Sequence, residues 1–341
     1  MTGAVRSWRP GYVRLARSGE LERRVEALQA MLRDCTVCPR ECHVDRFERL
    51  GTCATGPDPV VASSTAHFGE EPVISGRMGS GTIFLANCNL RCVFCQNHDI
   101  SQRPRDFIGE AITAEELAAI HLALADRGCH NINWVSPTHQ APQLARALLL
   151  AAQRGLRLPI VYNTNAYDSV EVLHLLDGVV DVWMPDLKYA DPEAGRLASR
   201  VADYPARARA AIAEMFRQVG DRWETAPDGT LRRGLLIRIL VLPNDLAGVE
   251  DSLRWIASEL SPRVAVSLMA QYYPTHLAAL PGRYPLLSRP ISAGEWDRAL
   301  AALERFLDGE RCYIQDFREA PAYYRPDFSD RDEPFPDAGD F

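Results

Sequence analysis

Short apolar runs and longer segments with apolar residues at helical spacing alternate along the chain from about residue 80 onward. Six runs have the length and composition of buried strands, at 81–88, 131–136, 159–165, 180–187, 234–243 and 263–273. The helix-like segments repeat apolar residues every three or four positions, near 113–127, 140–154, 168–177, 206–219, 248–260 and 294–308. This alternation is typical of successive βαβ units with a parallel sheet. We therefore predict an α/β fold, a partial (β/α)6 TIM-like barrel.

A cysteine-rich N-terminal extension is predicted before the barrel, over residues 1–75. It begins with a helix over 20–33 whose apolar face consists of Leu21, Val25, Leu28 and Leu32. The barrel domain is placed at 76–310. The remaining tail, 311–341, ends in an acidic, proline-bearing stretch that is expected to be poorly ordered.

The composition is that of a globular chain without a membrane-spanning segment. Of 341 residues, 47% are hydrophobic and 24% are charged, and no apolar run approaches the ~20 residues needed to cross a bilayer. The net charge of -7 disfavours a nucleic-acid partner. The first residues lack the apolar core and the cleavage site of a secretory signal. We expect a cytoplasmic protein that does not associate with membranes.

The cysteines are concentrated in one part of the chain. Seven of the nine lie between Cys35 and Cys95. In a long chain without a secretory signal, cysteines at short spacing favour metal binding over disulfide bonds. Cys129 and Cys312 are isolated, and we interpret them as buried, unreactive thiols.

Cys35, Cys38, Cys42 and Cys53 form the first group, separated by two, three and ten residues. Four thiolates on a short loop fit either a structural zinc ion or a fully ligated 4Fe-4S cluster. A closed site of either kind has no free coordination position, so its role would be structural or electron relay. His43 is an alternative ligand.

Cys88, Cys92 and Cys95 form the second group, in the stretch CNLRCVFC directly after the first predicted strand. Three thiolates leave one iron of a 4Fe-4S cluster without a protein ligand, and that open iron is a place for chemistry. A zinc site with three thiolates, or a chance spacing, is the alternative interpretation.

Polar residues follow most of the predicted strands. They are Ser136, Thr138, Asn163, Asn165, Asp186, Lys188, Asn244 and Gln271. In a parallel barrel the carboxyl ends of the strands meet at one mouth, so these side chains can face a common ligand. The second cysteine group follows the first strand and belongs at the same mouth. Glu70 or Glu71, in the segment before that strand, could also reach it.

A strand that leads into Cys-x3-Cys-x2-Cys, with the aromatic Phe94 just before the last cysteine, resembles the radical S-adenosylmethionine (SAM) superfamily. The stretch GSGTIFLANCNLRCVFCQN, and DLK after the fourth strand, are similar to relatives of the pyruvate formate-lyase activating enzyme. The resemblance implies a 4Fe-4S cluster on the three cysteines, SAM bound at the open iron, and an electron donor such as flavodoxin or ferredoxin. It also implies an oxidoreductase that cleaves SAM reductively and abstracts a hydrogen atom.

The resemblance further implies which residues contact the cofactor. Phe94 matches the aromatic residue that packs near adenine. Ser136 and Thr138 stand where the family has a glycine-rich turn that receives the amino group of SAM. In the family, positions on and after the later strands face the cofactor. The residues of this sequence that match them are Asn163, Asn165, Asp186, Lys188, Arg238, Gln271 and His276.

Some of these residues also have simpler interpretations. Lys188 and Arg238 could neutralise the carboxylate of SAM, or Lys188 could form a strand-end ion pair with Asp186. His276 could be a solvated loop residue. His98 could contact the cluster or stabilise its own loop.

The leading hypothesis for function is a radical SAM enzyme that abstracts hydrogen from a glycine of a protein or peptide, as an activase of a glycyl radical enzyme does. A barrel of six strands is incomplete, and its lateral opening could admit a polypeptide loop. One alternative keeps the chemistry but acts on a small molecule or a natural-product peptide. Another alternative is an iron-sulfur electron-transfer or scaffold protein, although a pure carrier does not need the polar residues at the strand ends.

Overall fold

The computed structural model of the protein describes residues 8–319, 324–332 and 334–335. These residues form nine strands: β1 (Val61–His67), β2 (Ser80–Leu85), β3 (Ile132–Val135), β4 (Ile160–Thr164), β5 (Val182–Pro185), β6 (Glu224–Thr225), β7 (Leu231–Leu240), β8 (Ala265–Met269) and β9 (Tyr313–Ile314). They also form eleven α-helices: α1 (Gly11–Arg17), α2 (Glu20–Ala30), α3 (Pro72–Ser75), α4 (His98–Ser101), α5 (Ala114–Asp126), α6 (Ala141–Gln153), α7 (Val170–Leu175), α8 (Pro192–Ser199), α9 (Tyr204–Val219), α10 (Val249–Trp255) and α11 (Ala293–Phe306). In the described part of the chain, no helix is long and apolar enough to cross a bilayer.

The strands form one mostly parallel sheet in the order β1-β2-β3-β4-β5-β7-β8-β9, with β6 paired to β7. Only β1 and β6 run antiparallel to their partners among the described strands. The six strands predicted from the apolar runs correspond to β2, β3, β4, β5, β7 and β8. The prediction of an α/β fold with a mostly parallel sheet is therefore confirmed, and the arrangement is consistent with a partial barrel.

The two faces of the sheet have different neighbours. Ile83 and Trp134 belong to the large apolar core that the sheet shares with the helices. The adjacent residues Phe84 and Val135 point to the other face, because side chains alternate along a strand, and they join a second cluster that includes Phe328. Phe84 and Val135 also line the cavity at the carboxyl ends of the strands. This second face is the inner face of the partial barrel.

Two helices begin at capping boxes that the sequence encodes. The Thr113 hydroxyl before α5 and the Ser292 hydroxyl before α11 each accept a hydrogen bond from the backbone N–H three residues later. The carboxylates of Glu116 and Glu295 accept one from the backbone N–H of the cap residue. Such a cap contributes about 1 kcal/mol by satisfying otherwise unpaired N–H groups. Glu295 also accepts from the backbone N–H of Asn244, which ties α11 to the loop after β7.

Strand β1, helix α8 and strand β9 are among the elements that the apolar pattern does not predict. Strand β1, with the sequence VASSTAH, contains too few apolar residues to be recognised, and its pairing with β2 stabilises it. Helix α8 is short and rich in small residues. Strand β9 has two residues, which is too short for any periodicity to be visible.

The expectation of a poorly ordered tail is wrong for the part of the tail that the structure describes. Phe328 is only 6% exposed, and Phe335 packs against the same apolar cluster. Arg331 forms an ion pair with Glu110 at 2.6 Å. The acidic composition suggested disorder, but the two phenylalanine side chains provide the apolar contacts that hold this segment on the sheet.

The N-terminal helices pack against the outer layer of the fold. Tyr12, Leu21 and Leu28 belong to the same large core as the sheet, and Tyr12 Oη donates to the carbonyl oxygen of Leu158 at 2.9 Å. Helix α2 has the predicted apolar face but ends before Leu32, which lies in a small separate cluster with the first cysteines.

Candidate active site

The cysteine loop, residues 86–97, connects β2 to α4 and carries the second cysteine group. Leu90 and Val93 are fully buried and anchor this loop. The backbone of Val93 donates to the carbonyl oxygen of Ala198 and accepts from the N–H of Ala278, both at 2.8 Å. The cysteine loop is thereby held between the end of α8 and the segment after β8.

Cys88, Cys92 and Cys95 line a single cavity of about 510 Å³ at the carboxyl ends of the strands. Each thiol has a polar partner: Cys88 with Asn165 Nδ2 (3.4 Å), Cys92 with Ser199 Oγ (3.0 Å) and Cys95 with Ser101 Oγ (3.1 Å). The structure therefore places the three predicted ligands where the topology of a parallel sheet concentrates polar groups.

The electrostatics of Cys88 and Cys95 favour their neutral thiol form. Burial, followed by the charge of Cys92, raises the pKa of Cys88 to about 11 and that of Cys95 to about 12. Ligation to iron requires thiolates. The positive charge of iron stabilises the thiolate form and offsets the cost of burying its negative charge. Three thiols at one cavity fit a 4Fe-4S cluster with one iron left open. In the described part of the chain, no group of three or more Cys, His, Asp or Glu side chains is already arranged to hold a metal ion.

Phe94 lines the same cavity and is 5% exposed. Its ring meets Tyr272 and Tyr189 edge-on, with 5.6 and 6.5 Å between ring centroids. These contacts fix the orientation of the ring, and a fixed ring can pack on a planar heterocycle. The contact with adenine stays a prediction.

Most of the predicted cofactor-binding residues lie at this cavity. Those that line it are Ser136, Asn163, Asn165, Asp186, Lys188, Arg238 and Gln271. Ser136 has a φ of 57°, a conformation that favours glycine. The backbone therefore makes, without glycine, the sharp turn that the family resemblance places at the end of β3.

Two predicted cofactor-binding residues are absent from the lining of the cavity. Thr138 is 1% exposed, and its Oγ1 lies 3.0 Å from Thr164 Oγ1 in the packing between strand ends. His276 stacks on His98, with 5.0 Å between ring centroids. Burial lowers the pKa of both histidines, so both are favoured in the neutral form. A direct contact of Thr138 or His276 with a ligand in the cavity does not follow from this placement.

Lys188 forms the strand-end ion pair that the sequence left open as an alternative. Its Nζ donates to Asp186 Oδ2 at 2.6 Å. Burial opposes the charge of Lys188, but the Asp186 carboxylate, and after it Cys92, hold the pKa of Lys188 above its ordinary value. Lys188 is therefore a half-buried cation next to the cysteine loop.

Arg238 is bound by two carboxylates from the segment between β1 and α3. Its Nε donates to Glu71 Oε1 at 2.9 Å, and its Nη2 contacts both Glu70 and Glu71. Asn133 and Asn163 also donate to Glu70, at 2.7 and 3.3 Å. Burial would raise the pKa of Glu70, but Arg238 holds that pKa below its ordinary value. Glu70 and Glu71 reach the mouth as expected. Both pair with Arg238, and a contact between Arg238 and the carboxylate of SAM stays a prediction.

Gln271 belongs to a row of three amide side chains. Its Nε2 donates to Gln96 Oε1 at 2.9 Å, and its Oε1 accepts from Gln315 Nε2 at 2.7 Å. The row connects the cysteine loop to the residue after β9. Both ends of the Gln271 amide are already bonded, so this residue positions the cysteine loop.

Residues from the C-terminal end of the chain complete the cavity, and sequence reasoning missed them. They are Tyr313, Ile314, Gln315, Asp316, Tyr324, Pro326 and Phe335. The aromatic residues in this otherwise acidic stretch are the signal that indicates packing rather than disorder.

The first cysteine group lies on a loop that packs against the partial barrel. Its members are all free thiols, buried at Cys35, Cys38 and Cys53 and half-buried at Cys42. Burial raises the pKa of Cys35 and Cys38, and repulsion from the other thiols of the group adds to this effect. The alternative ligand His43 is instead 2.9 Å from Asp34, at the surface.

A buried arginine fixes this loop to the rest of the molecule. Arg46 is 2% exposed and donates to the carbonyl oxygens of Thr55, Gly56 and His139, at 2.9, 2.8 and 2.8 Å. The bond to His139 reaches the segment directly after β3. The first cysteine group is thereby connected to the strand ends that surround the cavity.

Comparison with known protein families and curated proteins finds relatives of this chain. The profile of the Radical SAM superfamily matches residues 82–256, which include the three cysteines of the cysteine loop. Uncharacterized protein MJ0674 of Methanocaldococcus jannaschii is 31% identical over 294 residues, covering 84% of this chain and 79% of that protein.

Two solved structures align with this chain at lower similarity. A radical SAM methyltransferase from Sphaerobacter thermophilus aligns with a TM-score of 0.47 and 18% identity, covering 71% of this chain and 68% of that one. SuiB from Streptococcus suis aligns with a TM-score of 0.45 and 15% identity, covering 67% of this chain and 47% of that one.

Proposed function

This chain belongs to the radical SAM superfamily, and from that premise we propose that it is an enzyme that abstracts a hydrogen atom from a glycine of a protein or peptide. Cys88, Cys92 and Cys95 are the ligands of its 4Fe-4S cluster. The observation that supports this cluster assignment is the position of the three thiols on one cavity at the carboxyl ends of the strands. When bound, the cluster and SAM supply the reductive cleavage and the radical reactivity.

The side chains around the cavity determine what is held there and how. The fixed ring of Phe94 offers an apolar plane for adenine. Lys188 pairs with one carboxylate, that of Asp186, whereas Arg238 pairs with two. Lys188 is therefore the proposed cation for the carboxylate of SAM.

Apolar side chains make up another part of the cavity lining. They include Val135, Leu240, Leu242 and Met269. Radical chemistry requires that water and stray hydrogen donors are kept away from the reacting carbon, and apolar walls serve that purpose.

The proposed kinship within the superfamily is with activating enzymes of glycyl radical enzymes. The stretch around the cysteine loop and the DLK sequence at Asp186–Lys188 support it. The sheet is not closed between β1 and β9, which leaves one side on which a polypeptide can approach. An electron carrier such as flavodoxin or ferredoxin is the proposed source of the reducing electron.

A second candidate substrate class is a small molecule or a natural-product peptide. The observation that favours it is the presence of Tyr324, Pro326 and Phe335 in the lining of the cavity, because these residues reduce the opening. The interpretation as an electron-transfer or scaffold protein is disfavoured, since membership of the superfamily implies an enzyme.

We also propose that Cys35, Cys38, Cys42 and Cys53 hold a second metal, either zinc or an iron-sulfur cluster. Four thiols on one short loop support this, since three of them are buried and a bound cation would stabilise the thiolates that burial disfavours. Arg46 links this loop to the segment after β3, so the metal would brace one side of the cavity.

The substrate proposal is tested by following the abstracted hydrogen. The loaded, reduced protein is incubated anaerobically with SAM and a candidate partner protein, and electron paramagnetic resonance is recorded. The proposal predicts a doublet on the partner whose splitting collapses when the partner glycine carries deuterium at Cα. Deuterium that moves from a small metabolite into 5′-deoxyadenosine, with no signal on any protein, would instead support the second candidate.

A further inference from the structure

The cover segment, comprising residues 324–332 and 334–335, packs on the inner face of the sheet at β1 and β2 and contributes to the lining of the cavity. Phe328 meets Phe84 edge-on at 5.4 Å between ring centroids. Phe335 contacts His67 at 4.3 Å and Phe84 at 5.7 Å. His67 ends β1 and Phe84 lies on β2, so the cover segment reaches the edge of the sheet opposite β9.

The groove beneath the cover segment continues into the cavity of the cysteine loop. Phe84 and Val135 contribute both to the apolar cluster around Phe328 and to the lining of that cavity. Ile100, in the helix directly after the cysteine loop, belongs to the same cluster. The phenylalanine side chains of the cover segment therefore occupy the inner face of the mouth.

The cover segment is also held by polar contacts of the kind that a bound peptide makes. Ser63 Oγ donates to the carbonyl oxygen of Arg331, so β1 recognises the backbone of the segment. The Arg331 guanidinium pairs with Glu110 at 2.6 Å and lies 4.6 Å from the centroid of the Phe107 ring. Within the segment, the N–H of Asp327 donates to the carbonyl oxygen of Pro334 at 2.9 Å.

We propose that the groove between β1, β2 and the cavity is the binding site for a polypeptide substrate, and that the cover segment occupies it as an internal competitor. The inference rests on the proposed peptide or protein substrate and specifies its chemistry. A substrate segment carries aromatic side chains for the positions of Phe328 and Phe335 and a backbone carbonyl for Ser63. Backbone contacts combined with side-chain pockets are the usual basis of recognition of peptide segments.

When a segment of the chain competes for the groove, the apparent affinity for an external peptide is the intrinsic affinity multiplied by the fraction of molecules in which the groove is free. Weakening the cover segment must therefore strengthen binding of a peptide in trans. A permanent wall of the cavity would leave the groove free in no molecules of the unmodified chain. Only a segment that exchanges lets the unmodified chain bind the peptide detectably.

The test uses the full chain and a fluorescein-labelled synthetic peptide with the sequence of residues 324–335, followed by fluorescence anisotropy. The double variant Phe328→Ala/Phe335→Ala is expected to bind this peptide at least about tenfold more tightly than the unmodified chain. Arg331→Ala, which removes a different contact, is expected to shift affinity in the same direction. Phe317→Ala is the matched control, because Phe317 stacks on Trp296 away from the groove.

Equal affinity of the double variant and the unmodified chain, or no binding to either, overturns the inference. A peptide in which both phenylalanines are replaced by alanine must bind at least about tenfold more weakly to the double variant, and equal binding of the two peptides also overturns it. The assay requires neither SAM nor reductant. A negative result in this binding assay therefore does not contradict the proposed radical chemistry. Likewise, a protein that does not cleave SAM could still give the predicted binding result.

Discussion

The thiol of Cys92 and the hydroxyl of Ser199 lie 3.0 Å apart and join the cysteine loop to the last residue of α8. The same hydroxyl is 2.7 Å from the phenolic oxygen of Tyr189. The predicted cluster ligand Cys92 is therefore joined, through the Ser199 hydroxyl, to the phenol of Tyr189, which follows β5. Hydrogen bonds to ligand sulfur atoms are one of the means by which proteins set the reduction potential of an iron-sulfur cluster.

Replacing Ser199 by alanine is expected to lower the reduction potential of the cluster without loss of iron. A hydrogen bond to a ligand sulfur stabilises the more negatively charged, reduced state, and the variant lacks that bond. A redox titration followed by electron paramagnetic resonance measures the midpoint. Ser252→Ala is the control, because Ser252 is a buried serine of α10 outside the site. An unchanged midpoint at full iron content would show that the Ser199 hydroxyl does not act on the cluster.

Replacing Cys38 by alanine is expected to remove the second metal while the cysteine loop keeps its iron. A closed metal site contributes to folding, so hydrogen exchange across residues 35–60 should accelerate at least about tenfold, which corresponds to 1.4 kcal/mol of local stability. Elemental analysis and exchange mass spectrometry measure both effects, with Cys129→Ala as the control. Unchanged metal content and unchanged exchange in the Cys38 variant would contradict the assignment of the first cysteine group.

Replacing Arg238 by methionine is expected to destabilise the fold by about 3–5 kcal/mol, because two buried carboxylates lose their partner. The side chains of Arg238, Glu70 and Glu71 are only 11%, 8% and 7% exposed. Urea denaturation measures the change. Adding Glu70→Gln and Glu71→Gln should recover part of the loss, since uncharged amides no longer require the cation.

The control for the Arg238 variant is Arg305→Met. The Arg305 side chain is 70% exposed, and its contact with Glu250 is 3.5 Å long. An exposed pair of this kind contributes about 0–1 kcal/mol. A similar small loss in both variants would show that the buried charges near the cavity are not coupled.

The buried Asp181 is expected to make stability depend on pH between about 4 and 7. Burial raises its pKa to about 7, although the backbone N–H groups of Gly11 and Ile160 each donate to its carboxylate at 3.0 Å. In this range the folded state retains a proton that the unfolded state has released. The stability that Asp181 contributes is therefore complete below pH 4 and is lost as the pH rises through 7.

The size of this effect is obtained by comparison with Asp181→Asn. The unmodified chain should lose about 2–4 kcal/mol more than the variant between pH 4 and pH 7, as the shift in pKa implies. The variant starts from a lower stability, because asparagine has one acceptor oxygen for two N–H donors. Parallel pH profiles of the two chains would show that Asp181 is ionised in the fold throughout this range.

The sequence was sufficient for the features that depend on local pattern. Apolar runs identified the parallel strands, and the end of each strand located residues such as Asn163 and Lys188 at the cavity. Cys88, Cys92 and Cys95 were recognisable because their spacing and the preceding strand occur within a few residues. Parallel topology then brought these separate signals together.

The sequence could not specify which charged groups pair across the fold. Arg238 and Glu70 are 168 positions apart, and only the completed sheet brings them into contact. The stacking of His276 on His98 depends in the same way on two distant loops. Phe328 lies in a stretch whose acidic composition conceals its apolar contacts. Long-range contacts of single residues leave no periodic trace in a sequence.

The central claim is that Cys88, Cys92 and Cys95 hold a cluster at which SAM is cleaved. The direct measurement is mass spectrometry for 5′-deoxyadenosine after anaerobic reconstitution with iron and sulfide, followed by SAM and a reductant. We predict that the unmodified chain and Cys129→Ala form 5′-deoxyadenosine, whereas Cys92→Ala loses cluster iron and forms none while its core stays folded. The claim is contradicted if the fully loaded, reduced chain forms no 5′-deoxyadenosine, or if Cys92→Ala retains its iron and still forms it.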